Sequence, residues 1–213
     1  MAGRLTYNLI AGQSVERLAA LSDGIFAVAM TLLVLDLHVP SHEAIRNGAE
    51  LRRAVWTMAP QFTAYLMSFI TLGIFWVGQQ TQLNHLARSD RSLSWIHILF
   101  LFAVSLMPFS TRLLAEFITY RTALITYWLN ILLLGAVLYF SWICALGSRL
   151  VKDDIPPLVA TAIKRRILIA QSLYAFGMAL CVFSTYWSIS FIVLVQLNYA
   201  IAPRIPSHSR NDG

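Results

Sequence analysis

Residues 17–37, RLAALSDGIFAVAMTLLVLDL, are the stretch that decides the fold of this chain. A helix needs roughly 20 mostly apolar residues to cross the hydrocarbon core of a bilayer, and this run has that length and composition. Near its start it also carries Arg17, Ser22 and Asp23. Ionisable side chains in such a helix are costly unless they are paired or hydrated, so this segment is the first place to look for function.

The composition of the chain indicates an integral membrane protein. Of its 213 residues, 58% are hydrophobic and 12% are charged, whereas a soluble domain is about 25% charged. Hydropathy predicts an all-α, polytopic fold, with one domain over 1–213 and six membrane spans at about 18–38, 55–79, 93–114, 122–146, 167–186 and 189–203. The last two spans should form a tight hairpin at 186–188, and Pro60 and Pro108 should kink the second and third spans.

The distribution of positive charge predicts the orientation in the membrane. With six spans, eleven of the 16 Lys and Arg residues fall on the side that holds both termini, and five fall on the other side. The positive-inside rule makes the first side the cytoplasm, so we expect a multi-pass protein of the cell membrane. The inner charges are concentrated in a basic loop at 148–166, and the chain ends in a short tail at 204–213. This loop accounts for the net charge of +6, and it indicates contact with membrane lipids rather than with nucleic acid.

The sequence contains no pattern that is typical of an enzyme or of a metal site. Its five histidines, at 38, 42, 85, 97 and 208, lack the spacing of metal ligands. It has no nucleophile motif, no phosphate-binding glycine loop and no pair of carboxylates within one span. We therefore expect no catalytic residue, no metal and no cofactor, which leaves transport or a scaffold role.

Helical periodicity divides the first span into two faces. Val28, Thr31 and Leu35 are spaced by three and four residues, so they share one stripe. Asp23 lies five residues before Val28, which turns it roughly 140° away from the stripe. The stripe faces either a pore or a neighbouring helix. Asp23 is either a latch that bonds to other spans or part of a helix start at the water interface.

The first span begins with a recognisable motif. It places Arg17, Leu21, Ser22 and Asp23 ahead of the run GIFAVAMTLLVLDLHVP. This arrangement resembles the RxxxFSD signature of the transmembrane protein 175 family of potassium channels in its one-repeat prokaryotic form, with Leu21 in the place of Phe. The resemblance favours the latch interpretation of the motif.

Two later segments resemble the same family. FWVGQQ at 75–80 keeps the family's Trp as Trp76 and has Gln79 and Gln80 where two histidines are common. LFLFAVSLMPFSTRLLAEF at 99–117 is similar to the family's third span, and His97 precedes it near a position that often holds Asn. The resemblance makes these four side chains the expected partners of the signature. Because glutamine donates hydrogen bonds but carries no charge, proton-sensitive coupling is not expected at 79 and 80.

The resemblance also implies an architecture and an activity. It implies a homotetramer of six-helix subunits, in which four copies of the first helix line a central pore. Val28, Thr31 and Leu35 correspond to the constriction, which matches the stripe found from the helical period. Rings of apolar side chains and a ring of threonines would then pass K⁺ as the permeant ion, with modest selectivity that comes from dehydration.

A second class of function remains open. A small proton-coupled secondary transporter could use Asp23 as its coupling group, and a third reading is a scaffold without flux. The signature has no second copy in the chain, whereas carriers that hold their site within one subunit usually contain repeats. A single pore helix per chain therefore favours a channel built by symmetric assembly.

Overall fold

The computed structural model describes residues 14–41 and 45–201. Within these ranges the regular structure is helical, apart from an isolated antiparallel bridge between Leu86 and Val151. The helices are α1 (Val15–Leu35), α2 (Gly48–Thr57), α3 (Ala59–Asn84), α4 (Arg91–Ser105), α5 (Met107–Glu116), α6 (Arg121–Gly147), α7 (Pro157–Ala179), a short 3₁₀ turn (Leu180–Val182) and α8 (Thr185–Ile201). The predicted all-α fold is confirmed.

Five stretches of the described chain are long and apolar enough to cross a membrane. They are α1, α3, α4 continued by α5, α6, and α7 continued by the 3₁₀ turn. The sixth expected span corresponds to α8, which has 17 residues. At 1.5 Å per residue α8 is about 26 Å long, slightly less than the hydrocarbon core. The predicted tail at 204–213 lies outside the described residues.

Helix α6 forms the centre of the subunit. It packs against α3, α4, α5 and α7, and it buries the large side chains of Tyr127, Leu134 and Trp142. Half of the most apolar 18-residue stretch of this helix is buried. One of its polar residues is also paired with a neighbouring helix: the amide of Asn130 lies 3.2 Å from the hydroxyl of Ser110 on α5. The subunit therefore has its apolar core around α6 rather than around α1.

The prolines break two of the predicted spans, as expected. The helical hydrogen-bond pattern is interrupted at Met58, between α2 and α3, and at Leu106, between α4 and α5. Each break lies two residues before a proline, Pro60 or Pro108, because proline has no N–H and its ring crowds the preceding turn. Residues 55–57, which we expected in the second span, belong instead to the separate helix α2.

The predicted boundary of the basic loop at 148–166 is wrong, because α7 begins at Pro157. Hydropathy alone assigned Lys164, Arg165 and Arg166 to a loop, but Lys and Arg are good helix formers. Their long side chains also reach outward along an apolar surface. The indole N–H of Trp142 donates to the carbonyl of Ala160 at 3.1 Å and ties this first part of α7 to α6.

Helices α7 and α8 form the expected tight hairpin, although its turn lies at 180–184 rather than at 186–188. The hydroxyl of Ser188 donates to the carbonyl of Gly177 at 2.6 Å. A side chain at Gly177 would crowd Phe191 and Ile192. The missing Cβ therefore allows the two helices to approach closely.

Candidate functional site

Helix α1 is covered on one face only. Ser14 caps its start, since the Ser14 side chain accepts from the backbone N–H of Arg17 at 3.2 Å. The buried residues follow the helical repeat and face α3 and α4: Leu18, Ser22, Phe26, Ala29 and Leu33. Only 22% of the most apolar 18-residue stretch of α1 is buried. A long apolar face of α1 therefore has no partner within the part of the subunit that the structure describes.

The serine and aspartate of the signature bond to α3. Ser22 donates its hydroxyl to the carbonyl of Leu18 at 2.8 Å and accepts from Nε2 of Gln79 at 2.9 Å. Asp23 accepts at its Oδ1 from Nε1 of Trp76 and from Nε2 of Gln80, both at 2.8 Å. The helix start is at Ser14, more than two turns earlier, which argues against a capping role for Asp23 at the water interface.

The partners of the signature lie on one face of α3. Trp76, Gln79 and Gln80 are spaced by three and four residues, so all three point toward α1. Hydrogen bonds to a charged group contribute about 1.5–3 kcal/mol when they are well formed. The two bonds to Asp23 and the bond to Ser22 fix the rotation of α1 about its own axis. This geometry is what a latch requires.

Three other expected members of the site lie apart from this network. Arg17 and Leu21 are exposed on α1, and within the described chain Arg17 forms no salt bridge. His97 is buried on α4, where its Nδ1 lies 3.0 Å from the carbonyl of Leu93. It does not bond to Ser22 or Asp23. The structure therefore brings together Ser22, Asp23 and the α3 residues, without His97.

The stripe found from the sequence lies on the uncovered face of α1. Val28 is 55% exposed, Leu35 is 71% exposed, and Thr31 is also exposed. Among residues 14–41 and 45–201, no other helix of the same subunit therefore packs against the stripe. The hydroxyl of Thr31 donates to the carbonyls of Ala27 at 3.0 Å and Val28 at 2.8 Å. Its oxygen lone pairs remain available on the open side.

Sequence reasoning missed a charged group beyond the end of the stripe. Asp36 caps α1, and its backbone carbonyl lies 2.9 Å from Nδ1 of His38. Burial raises the pKa of the Asp36 carboxyl above its ordinary value, while Arg112 and His38 oppose the shift and Glu116 adds to it. The signal was present in the sequence as a carboxylate directly after Leu35. Asp36 thus places a titratable group at one end of the stripe.

A polar network also lies inside the subunit. Gln196 of α8 donates to Thr71 of α3 at 2.6 Å, and Thr111 of α5 donates to Ser68 at 2.6 Å. The hydroxyl of Tyr127 on α6 lies 3.3 Å from that of Ser68 and 3.4 Å from that of Thr71. Buried hydroxyls and amides require partners in an apolar interior. The network therefore joins four segments and holds the core in register.

Comparison with known proteins gives one consistent result. Residues 17–108 match the family model described as "Endosomal/lysosomal potassium channel TMEM175". A potassium channel of Streptomyces collinus is 38% identical over 102 residues, a match that spans 48% of this chain and 48% of that relative. The mouse endosomal/lysosomal proton channel TMEM175 is 31% identical over 115 residues, which are 52% of this chain and 23% of the mouse protein.

A solved structure extends the likeness to nearly the full chain. The crystal structure of a lysosomal potassium-selective channel TMEM175 homologue from Chamaesiphon minutus superposes with a TM-score of 0.77 and 28% sequence identity. The superposition covers 88% of this chain and 97% of that one. Residues 17–108, which match the family model, include most of α1 and all of α3, the helices that carry the contacts of the signature.

Proposed function

The chain belongs to the TMEM175 family, a family of channels rather than of enzymes, and on that premise we propose that it conducts K⁺ passively across a membrane. The bacterial relatives that it resembles are named as potassium channels. The mouse relative is named as a proton channel. The permeant ion is therefore the first quantity to measure.

The observation that carries this proposal is the uncovered stripe on α1. Each subunit has one such helix, so a pore enclosed on all sides needs several copies, most simply around a cyclic axis. We propose a homotetramer in which four copies of α1 surround the axis. The bonds from Trp76 and Gln80 to Asp23 hold the opposite side of the helix. The latch then keeps Val28, Thr31 and Leu35 turned toward the axis.

The proposed constriction selects by dehydration. Rings of Val28 and Leu35 side chains around a narrow axis exclude water, which is a recognised way to gate a channel. Between them, four Thr31 oxygens replace part of the hydration shell of a cation. Apolar rings do not bind K⁺ strongly, so selection rests on the lower cost of dehydrating K⁺ than Na⁺. We expect modest selectivity, with K⁺ as the permeant ion and no cofactor.

The proposed setting is the cell membrane, with both termini in the cytoplasm. This orientation requires that α8 crosses as the sixth span, and its hairpin with α7 supports that placement. The positive side chains of α7 then lie toward the cytoplasm, as the positive-inside rule expects. Membrane lipids surround the outer helices of the tetramer.

The alternative is a proton-coupled carrier that uses Asp23. A coupling carboxylate needs further ionisable groups that pass the proton onward. The two groups that bond to Asp23 in the described chain are a neutral indole and a neutral amide. This arrangement supports a structural latch, because neither the indole nor the amide can accept a proton from Asp23 and pass it on. An Asp23→Asn variant separates the two: a coupled carrier loses flux, whereas an assembled channel still conducts.

The decisive experiment measures reversal potentials of the purified protein in liposomes under opposed K⁺ and Na⁺ gradients. A K⁺ channel gives a reversal potential shifted toward the K⁺ equilibrium potential, and the current persists without a proton gradient. A current that follows the proton gradient alone would overturn the proposal for K⁺. Saturating flux that stops without a coupling ion would support the carrier.

The same preparation tests the constriction. Leu35→Ala and Val28→Ala should each raise the conductance or weaken discrimination between K⁺ and Na⁺, because each removes a desolvating ring. Leu158→Ala is the matched control, since Leu158 is 80% exposed but lies on α7. Unchanged currents in both α1 variants would mean that another helix lines the path.

A further inference from the structure

A groove with an apolar floor runs between α3, α7 and α8, on the side of α3 next to α1. Its volume is about 580 Å³, which lies within the range of roughly 300–1,000 Å³ that is typical of small-molecule sites. Phe69, Gly73 and Val77 form part of its floor, and Arg166 and Tyr199 close one end. The groove is therefore mostly apolar and carries one positive charge.

The guanidinium of Arg166 is held in place at the end of the groove. It lies 5.9 Å from the centre of the Tyr199 ring, within the range of a cation–π contact. Arg166 is the tenth residue of α7, so it lies roughly 14 Å along that helix at 1.5 Å per residue. Among the described residues no carboxylate forms a salt bridge with it. A positive charge at this depth requires an anionic partner or water.

A smaller cleft continues behind Arg166 into the subunit. It shares Ile74, Arg166 and Tyr199 with the groove, and Gln171 lines its inner wall. The amide oxygen of Gln171 is buried, and no donor from the described chain reaches it. The cleft behind Arg166 thus holds an unused hydrogen-bond acceptor, while the groove itself is mostly apolar apart from Arg166.

We propose that this groove binds one anionic glycerophospholipid per subunit. The phosphodiester accepts hydrogen bonds from Arg166, since a guanidinium fits phosphate oxygens with two parallel N–H donors. An acyl chain lies along the floor over Phe69, Gly73 and Val77. Basic pockets between membrane helices are suited to lipid headgroups for the same electrostatic reason.

The charges of the chain favour a lipid over a second copy of the protein as the occupant. The acidic residues of the described chain lie in loops or near helix ends, apart from Asp23, which already accepts bonds from α3. A second copy would therefore bring no free carboxylate to Arg166 at this depth. A bilayer brings both an anionic headgroup and an acyl chain.

The test is native mass spectrometry of the purified oligomer after exchange into mixed vesicles of phosphatidylglycerol and phosphatidylcholine. The wild-type protein should retain phosphatidylglycerol in preference to phosphatidylcholine, up to one molecule per subunit. Arg166→Gln should lower this retention about tenfold, the change expected when one charge-assisted contact is lost. Arg165→Gln is the matched control, because it removes the same charge one residue away from the groove.

A second variant tests the apolar part of the site without touching the charge. A Cβ at Gly73 meets no atom within 4 Å, so Gly73→Phe fills the groove without a clash at its Cβ. This variant should lose phosphatidylglycerol to a similar degree while its melting temperature stays near that of the wild type. Equal retention of both lipids by the wild type overturns the proposal, as does full retention by both variants.

Two further outcomes identify other occupants, and each contradicts the lipid site. Displacement of the bound mass by inorganic phosphate alone would mean that the groove binds a free anion. Disulfide cross-linking between subunits through Val77→Cys, in a background without Cys144 and Cys181, would mean that a second copy covers the groove. Lipid retention is measured without ion flux. The lipid site can therefore be disproved while the proposed channel activity stands.

Discussion

The most apolar 18-residue stretches of α1 and α6 have the same mean hydropathy, 2.1. Of these stretches, 50% is buried in α6 and only 22% in α1. Hydropathy reports that both helices suit a membrane, but it does not report whether protein, lipid or a pore lies beside them. Helix α6 is surrounded by its own subunit, whereas α1 is held along one face. The difference shows that α6 forms the centre of the subunit, and it supports the proposal that other copies of the chain cover α1.

The same substitution in the two helices gives the largest expected contrast. Leu134 of α6 is 0% exposed and Leu35 of α1 is 71% exposed. Leu134→Ala should cost about 2–5 kcal/mol of stability because it leaves a cavity. Leu35→Ala should change the stability of the subunit by less than about 0.5 kcal/mol. Thermal unfolding in one detergent measures both, and equal losses would contradict the distinction between the helices.

Removal of the latch should have the next largest effect. Asp23→Ala leaves Trp76 and Gln80 without their acceptor, so we expect a loss of about 1–3 kcal/mol and a lower yield of assembled oligomer. Size-exclusion chromatography in detergent measures the yield. Asp153→Ala is the control, because Asp153 is exposed in the loop before α7. Normal assembly of the Asp23 variant would refute the latch.

A milder substitution separates the hydrogen bond from the packing of the same side chain. Trp76→Phe keeps an aromatic ring beside α1 but removes the indole N–H that donates to Asp23. The expected cost is about 1 kcal/mol, which should appear as a small fall in melting temperature. Trp95→Phe on the exposed side of α4 serves as the control. A loss as large as that of Asp23→Ala would assign the effect to packing.

The smallest expected effect is the pH dependence at the end of α1. Burial raises the pKa of Asp36, so its carboxyl takes up a proton at a higher pH than an ordinary aspartate does. As the pH on that side falls, Asp36 therefore loses its negative charge before an ordinary aspartate does, and it then attracts fewer cations. We expect the K⁺ conductance to fall by less than about twofold.

Two variants identify the group responsible for this response. Asp36→Asn should remove it, whereas His38→Gln should keep it, because the carboxyl of Asp36 is still present. Arg112 and Glu116, which form a salt bridge at 3.2 Å, also act on Asp36 and stay constant in both variants. A full acid response in Asp36→Asn would assign the effect elsewhere.

Part of this organisation could be predicted from the sequence. The period of α1 identified the stripe and turned Asp23 away from it, because helical geometry is local. The approximate positions of the first four spans followed from hydropathy. The contacts of Asp23 with Trp76 and Gln80 join residues more than 50 positions apart, and they were anticipated only through the resemblance between motifs.

The remaining features depend on packing, which a single sequence does not encode locally. Nothing in the sequence of α7 indicated that Trp142 would bond to its first turns, so the start of that helix was placed ten residues too late. The burial of His97 away from the signature depends on how α4 packs. The groove at Arg166 needs α3 to lie against the hairpin of α7 and α8, which comes much later in the chain.

The hydroxyl of Thr31 has a consequence for the sign of the charge that can pass. Its hydrogen is engaged by the carbonyls of Ala27 and Val28 in its own helix, so in the proposed tetramer the axis meets oxygen lone pairs without O–H donors. A halide ion arriving there finds nothing that can solvate it. We therefore expect the proposed tetramer to reject anions at a ring that carries no formal charge, because the four hydroxyl hydrogens point away from the axis.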